Sequence, residues 1–134
     1  LDTNVLVRWL MADDAAQTAR VAALLDSALA QNASYFVPTT VQLELEWVLR
    51  GVYGHPPKDV GRVIEHLLSL AHIEVEDRAA VESALGNLRR GLDFADALHH
   101  ASSRSCEALL TFDARGFVGK ARRLSITPPV RLPA

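Results

Sequence analysis

The sequence is poor in the residues that several common chemistries require. It has one cysteine, Cys106, among 134 residues. A single thiol excludes an internal disulfide framework and a cysteine-based zinc site, and it agrees with a reducing cytoplasm. No uncharged apolar run approaches the roughly 20 residues of a membrane helix. No signal-peptide pattern opens the chain, so a cytoplasmic location away from membranes is expected. There is no Gly-rich phosphate loop of either nucleotide-binding type and no G-x-S-x-G nucleophile elbow. Cys106 has no evident catalytic setting, and the five histidines are scattered.

What is present is an ordinary globular composition, 49% hydrophobic and 22% charged, at a length that suits one domain with a real core. We therefore expect one domain over residues 1–134. The net charge of −2 conceals an asymmetry. Residues 1–88 hold six Lys/Arg against twelve Asp/Glu, whereas residues 89–134 hold eight against four. The basic C-terminal third suits a phosphate backbone, or simply a solvated helical surface.

The chain alternates short apolar runs with helical patterns. Leu1–Val7 reads as a buried strand and Trp9–Met11 as a short connection. The chain begins inside this strand with no initiator Met, so a longer native first strand is expected. A helix over about Ala15–Ala30 follows Asp13-Asp14, and Tyr35–Val37 is the second strand. Thr39 or Thr40 is expected to cap a helix running to about Tyr53, and Lys58–Leu70 is amphipathic. His72–Glu76 is the third strand, and Asp77 caps a helix over about Arg78–Arg90. Asp93 starts another, to about Ser103; Ala108–Phe112 is the fourth strand, with a turn at residues 113–116. Phe117–Arg122 is a short helix, Leu124–Thr127 a weak fifth strand, and Pro128-Pro129 and Pro133 mark a non-helical tail. This alternation predicts an α/β fold, a three-layer α/β/α sandwich around a central, mainly parallel sheet. Ligands of such sheets bind at the carboxyl ends of strands.

Several acids lie near those ends or at helix starts. Asp2 is a carboxylate in an apolar run, where burial without a partner is costly, or it is a capping residue. Glu44 and Glu46 stand two apart on one helix and so face different ways; spacing does not say which of them enters a pocket. Asp93 is most simply an N-cap, and Asp96, three residues on, shares its face. Asp113 follows a strand and either starts a turn or aims at a ligand. Clustered carboxylates raise one another's pKa unless a cation neutralises them, and hard divalent ions prefer such oxygen ligands. His99 and His100 follow Asp96 by three and four residues, as supporting side chains or as surface and core filling.

In their order, Leu1-Asp2-Thr3-Asn4-Val5-Leu6-Val7-Arg8, Glu44-Leu45-Glu46-Trp47-Val48-Leu49-Arg50, Asp93-Phe94-Ala95-Asp96-Ala97-Leu98 and Leu110-Thr111-Phe112-Asp113 resemble a PIN-domain nuclease. More narrowly, they resemble a VapC-type toxin of a toxin–antitoxin pair. The tail Phe117–Leu132 is also typical, so the resemblance covers essentially the whole chain. It implies that Asp2, Glu44, Asp96 and Asp113 form an acidic site for Mg²⁺ or Mn²⁺. It selects Glu44 over Glu46, which leaves the acid three residues before Trp47, and Asp96 over Asp93. Thr3, Asn4, Asp93 and Thr111 would support those acids or the substrate. The activity implied is hydrolysis of RNA phosphodiesters by metal-activated water. Arg115, Lys120, Arg122 and Arg123 would contact the RNA backbone. The implied partners are a second copy, in a homodimer, and a cognate antitoxin whose inserted segment blocks the acids. The alternatives are a PIN-type nuclease of RNA processing and a non-catalytic or receiver-like module. A receiver needs a Lys after a late strand, and none follows Leu110–Phe112 before Lys120.

Overall fold

Thr3 to Met11 is nine residues without a breaker, and an apolar run of that length satisfies a helical period as readily as a strand. In the computed structural model, which describes residues 1–134, it is a helix, α1 (Thr3–Met11). Thr3, Leu6 and Val7 are its buried residues, the i, i+3, i+4 pattern of one helical face. The strand expected over Leu1–Val7 is thus corrected. Asp2, extended at φ −87° and ψ 159°, is the N-cap residue, and its backbone carbonyl accepts the first helical bonds from Val5 and Leu6. The Leu1 amine donates to the Phe36 carbonyl.

The chain divides into two compact units, Leu1–Asp77 and Arg78–Ala134. In the first unit, α1 packs on α2 (Ala15–Ala30) and on α3 (Thr39–Gly51). Asp14 caps α2 by accepting from the Gln17 amide at 2.9 Å. Strand β1 (Tyr35–Val37) pairs in parallel with β2 (Ile73–Val75), Tyr35 opposite Ile73 and Val37 opposite Val75. Helix α4 (Pro57–Ser69) packs against α3 and β2. The side-chain cap expected from Thr39 or Thr40 is absent. Pro38 occupies the N-cap, and the Thr39 amide donates instead to the Glu76 carboxylate at 2.7 Å. Leu6, Val37, Leu45, Leu49, Val60 and Leu67 are the most buried apolar residues of this unit's core.

In the second unit, α5 (Arg78–Arg89) and α6 (Phe94–Ser102) form the largest contact. The chain turns between them at Gly91, whose φ of +99° is a conformation that a Cβ disfavours. Phe94, Ala97, Leu98 and Ala101 are buried at i, i+3, i+4 and i+7, which fixes the rotation of α6. Strand β3 (Leu109–Leu110) runs parallel to β4 (Val130–Arg131). A π-helical turn at Ala114–Val118 leads into α7 (Gly119–Leu124).

The fifth strand expected at Leu124–Thr127 is also corrected. Leu124 ends α7, and Ser125 turns the backbone at φ +53°. The pairing moves past the prolines. Pro129 lacks an N–H, but its carbonyl accepts from Leu109, so the tail read as merely non-helical supplies β4. The remaining helices and strands lie within a few residues of their expected positions.

Candidate active site

The structure assigns the eight acids and supporting residues to local arrangements within each unit. In the first, Asp2 stands at the N-terminus of α1 and is exposed, with no side-chain capping bond. A carboxylate there is favoured by the helix dipole, and this one is left free of the cap. Thr3 is 4% exposed, and its Oγ1 donates to Glu44 Oε2, joining the start of α1 to the outer face of α3. Glu46 points elsewhere. It is 6% exposed, and its Oε1 accepts from Arg50 Nη1 at 3.0 Å, one turn along the same helix. Asn4 is exposed and lines a cavity of about 220 Å³ with Arg8, Gln17 and Arg20, bonding none of the acids.

In the second unit, three of the acids share one neighbourhood. Asp93 sits at the N-cap of α6 without a side-chain capping bond, and its Oδ2 accepts from Lys120 Nζ at 2.9 Å. Asp96 lies one turn into α6 and is half-buried. Burial pushes its carboxyl above the ordinary value, and the charges of Asp93 and then Asp113 push the same way. His99 and Lys120 oppose that shift more weakly. Three carboxylates and one ammonium leave a charge of −2.

Asp113 also caps. Its Oδ1 accepts from the Gly116 amide at 2.8 Å, and its Oδ2 from the Phe117 amide at 2.9 Å, which fixes the start of the π-helical turn. A Cβ on residue 116 would stand 2.1 Å from Asp113 Oδ2, so only glycine leaves room for this carboxylate. Thr111 supports the same loop from the other side, its Oγ1 accepting from the Asp113 amide at 3.2 Å.

No group of three or more His, Cys, Asp or Glu side chains closes to metal-ligating distances. Like charges keep apart without a counter-ion, and Mg²⁺-type sites usually use one or two carboxylates plus waters. The donor set fits such an ion. Its oxygens are hard, and Asp96 carries an unfavourable charge that a cation would relieve.

Of the basic residues expected at RNA, Lys120 is held on Asp93. Arg115 and Arg123 are exposed, and Arg122 lines a cavity of about 360 Å³ together with Ser125 and Arg131. The two histidines separate. His100 is 4% exposed, with Nε2 2.8 Å from the Pro128 carbonyl, a core role, while exposed His99 acts on Asp96 only through its field. Sequence reasoning missed the roles of Gly116 and Lys120. Asp at the first and Gly at the fourth position of a turn is a readable signal for the former. The pairing of Lys120 with Asp93, 27 residues apart, has no such signal.

Helices alternating with short parallel strands define an α/β protein, and several of its carboxylates stand at helix starts. The sequence profile of the PIN domain matches residues 1–122, and the chain belongs to the PIN-domain family. That family has the three-layer α/β/α fold, with which these helices and small parallel sheets agree, and its members are usually metal-dependent nucleases. Comparison with curated proteins and with solved structures returns no match. No helix is long and apolar enough to cross a membrane.

Proposed function

We propose that the protein is a metal-dependent endoribonuclease of the VapC toxin type. It hydrolyses RNA phosphodiesters and is neutralised by a cognate antitoxin. Asp2, Glu44, Asp96 and Asp113 hold Mg²⁺ or Mn²⁺. The observation that carries this reading is the half-buried Asp96 carboxylate, whose charge is raised in energy by Asp93 and Asp113. When bound, the divalent ion supplies an activated water and neutralises charge developing on the phosphate.

The chain's own residues do the rest. Thr3 fixes the Glu44 carboxylate by donating to Oε2, and the Gly116 and Phe117 amides fix Asp113. Lys120 holds Asp93 and tempers the negative field on Asp96. Arg115, Arg122 and Arg123 draw the RNA backbone, with Arg131 contributing across the Arg122 cavity. Lys120 then serves the acids more than the RNA. Removing one phosphate-contacting Arg reduces the salt slope of binding by about 0.7 on single strands. A homodimer in the cytoplasm completes the reading.

The test is RNA cleavage with Mg²⁺ or Mn²⁺ by the wild type, Asp96→Asn and Asp2→Asn. Cleavage should need the metal and fall at least roughly 100-fold in each variant, a loss of about 2.7 kcal/mol of transition-state stabilisation. Cleavage that survives EDTA and both substitutions refutes the metal site. A nuclease with no antitoxin reading frame beside its gene belongs to RNA processing instead.

A further inference from the structure

The outer face of α3 carries a feature that the acids do not use. Thr40, Glu44, Trp47 and Gly51 recur at i, i+4, i+7 and i+11 and are exposed, whereas Leu45 and Leu49 are fully buried. Trp47 is 65% exposed. An indole carries a large apolar surface, so leaving it in water calls for an explanation. Trp47 walls a shallow cavity of about 180 Å³ with Glu46, Arg50 and Gly51. Gly51 borders that cavity without a side chain, and a Cβ there would make an ordinary contact of 3.9 Å with the indole Cε2. Glu46, nearly buried, lines the same space, and its Oε1 accepts from Arg50 Nη1.

A flat aromatic wall, a carboxylate acceptor and a guanidinium at the rim together suit a planar heterocycle bearing N–H donors. An aliphatic chain would meet the carboxylate with nothing to donate. We propose that this cavity is a nucleobase subsite, in which a base of single-stranded RNA stacks on Trp47 and donates to Glu46. The proposal rests on the nuclease reading above. Glu44 stands three residues earlier, about 4.5 Å along the helix axis, so the stacked base belongs to a nucleotide flanking the acids. Stacking tolerates any base, since each has a π-face, and Trp47 thereby positions the strand without selecting its sequence.

The chain has two tryptophans, and Trp9 stacks on His66 at a centroid distance of 5.8 Å, so Trp9→Phe leaves Trp47 as the only indole. In that background, a short single-stranded RNA is titrated in EDTA, where no cleavage competes, and the indole fluorescence is read. Binding should quench Trp47 saturably. Trp47→Ala, tested in the wild-type background by RNA anisotropy, should weaken binding roughly 5- to 150-fold, the span of about 1–3 kcal/mol for one stacked base. Trp47→Phe should retain most of the affinity. Gly51→Leu, which covers the ring while keeping it, should weaken binding with the circular dichroism unchanged. In cleavage assays the loss should fall on KM more than on kcat. A wild type that binds and cleaves RNA, with Trp47→Ala and Gly51→Leu binding equally well, overturns the subsite alone. A wild type that neither binds nor cleaves overturns the nuclease reading and the subsite together. A changed oligomeric state in Trp47→Ala at unchanged RNA affinity makes this face a self-association surface and also overturns the proposal.

Discussion

Gly116→Ala is the substitution whose outcome the geometry constrains most tightly. The new Cβ would lie 2.1 Å from Asp113 Oδ2 and 2.9 Å from Oδ1, well inside any real carbon–oxygen contact. The obstructing atoms are the end of a side chain, so the carboxylate swings away and the backbone stays. The swing breaks both bonds that Asp113 accepts, from the amides of Gly116 and Phe117. Losing a capping side chain costs about 0.5–2 kcal/mol, and two bonds from one carboxylate place this case in the upper half of that range. Asp113 is exposed, so water replaces part of what is lost. Alanine returns about 0.4–1 kcal/mol by restricting the unfolded chain. The net cost is about 0.5–1.5 kcal/mol, or a fall in Tm of roughly 2–5 °C at the unfolding entropy of a chain this size.

A small shift alone would not identify the cause, so the assay is a double-mutant cycle by urea denaturation. In the wild type, Asp113→Ala should cost about 1–2 kcal/mol. In the Gly116→Ala background it should cost almost nothing, because the cap is already broken. Coupled residues depart from additivity by about 0.5 kcal/mol or more, and independent ones do not. Additive costs in this cycle refute the reasoning. The same variant separates stability from activity. With the fold retained, displacement of Asp113 should depress cleavage as Asp113→Ala does.

Two further outcomes are expected. Thr3→Val removes the hydroxyl that fixes Glu44 and should lower both stability, by about 1 kcal/mol, and cleavage; Thr3→Ser should restore them, as thermal melts and RNA digestion will show. In the metal-free protein, Asp96 should titrate above an ordinary aspartate, read from its carboxyl ¹³C shift, with Asp93→Asn lowering the midpoint and Lys120→Met raising it. The sign of the linkage follows. A carboxyl whose folded pKa lies above its unfolded one opposes folding increasingly as pH rises through the unfolded pKa to the folded one. Its unfavourable contribution is relieved at lower pH. A midpoint that ignores both substitutions disproves the electrostatic coupling.

Most of the helices were legible because each offers a long amphipathic signal with a breaker at its end. Gly91 and the buried spacing from Phe94 to Ala101 are an example. The strands carried less information. With two or three residues each, they have no periodicity to read, and β4 was hidden behind two prolines that usually exclude pairing. Leu1–Val7 failed for the opposite reason. Its apolar residues satisfy both periods, and the helical one prevails because the run continues unbroken through Met11.

The acids expose a more general ambiguity. A carboxylate before a helix is the sequence signal for an N-cap and also for a ligand at a helix start, and both readings invoke the same positive dipole. Only the bonds distinguish them. Asp14 and Asp113 accept helix amides, while Asp2 and Asp93 occupy N-cap positions and cap nothing. A capping residue that declines its cap forgoes stabilisation of about 1 kcal/mol, which selection would ordinarily recover. Asp93 directs its carboxylate to Lys120 instead, and Asp2 keeps its own free in solvent. Of the four acids proposed as ligands, Asp113 is the one tied by backbone amides on both oxygens, so it is the orienting member of the set. Asp2 is the one at liberty to move onto an ion. Loss of Asp113 should therefore disturb geometry as well as charge, whereas loss of Asp2 should remove charge alone.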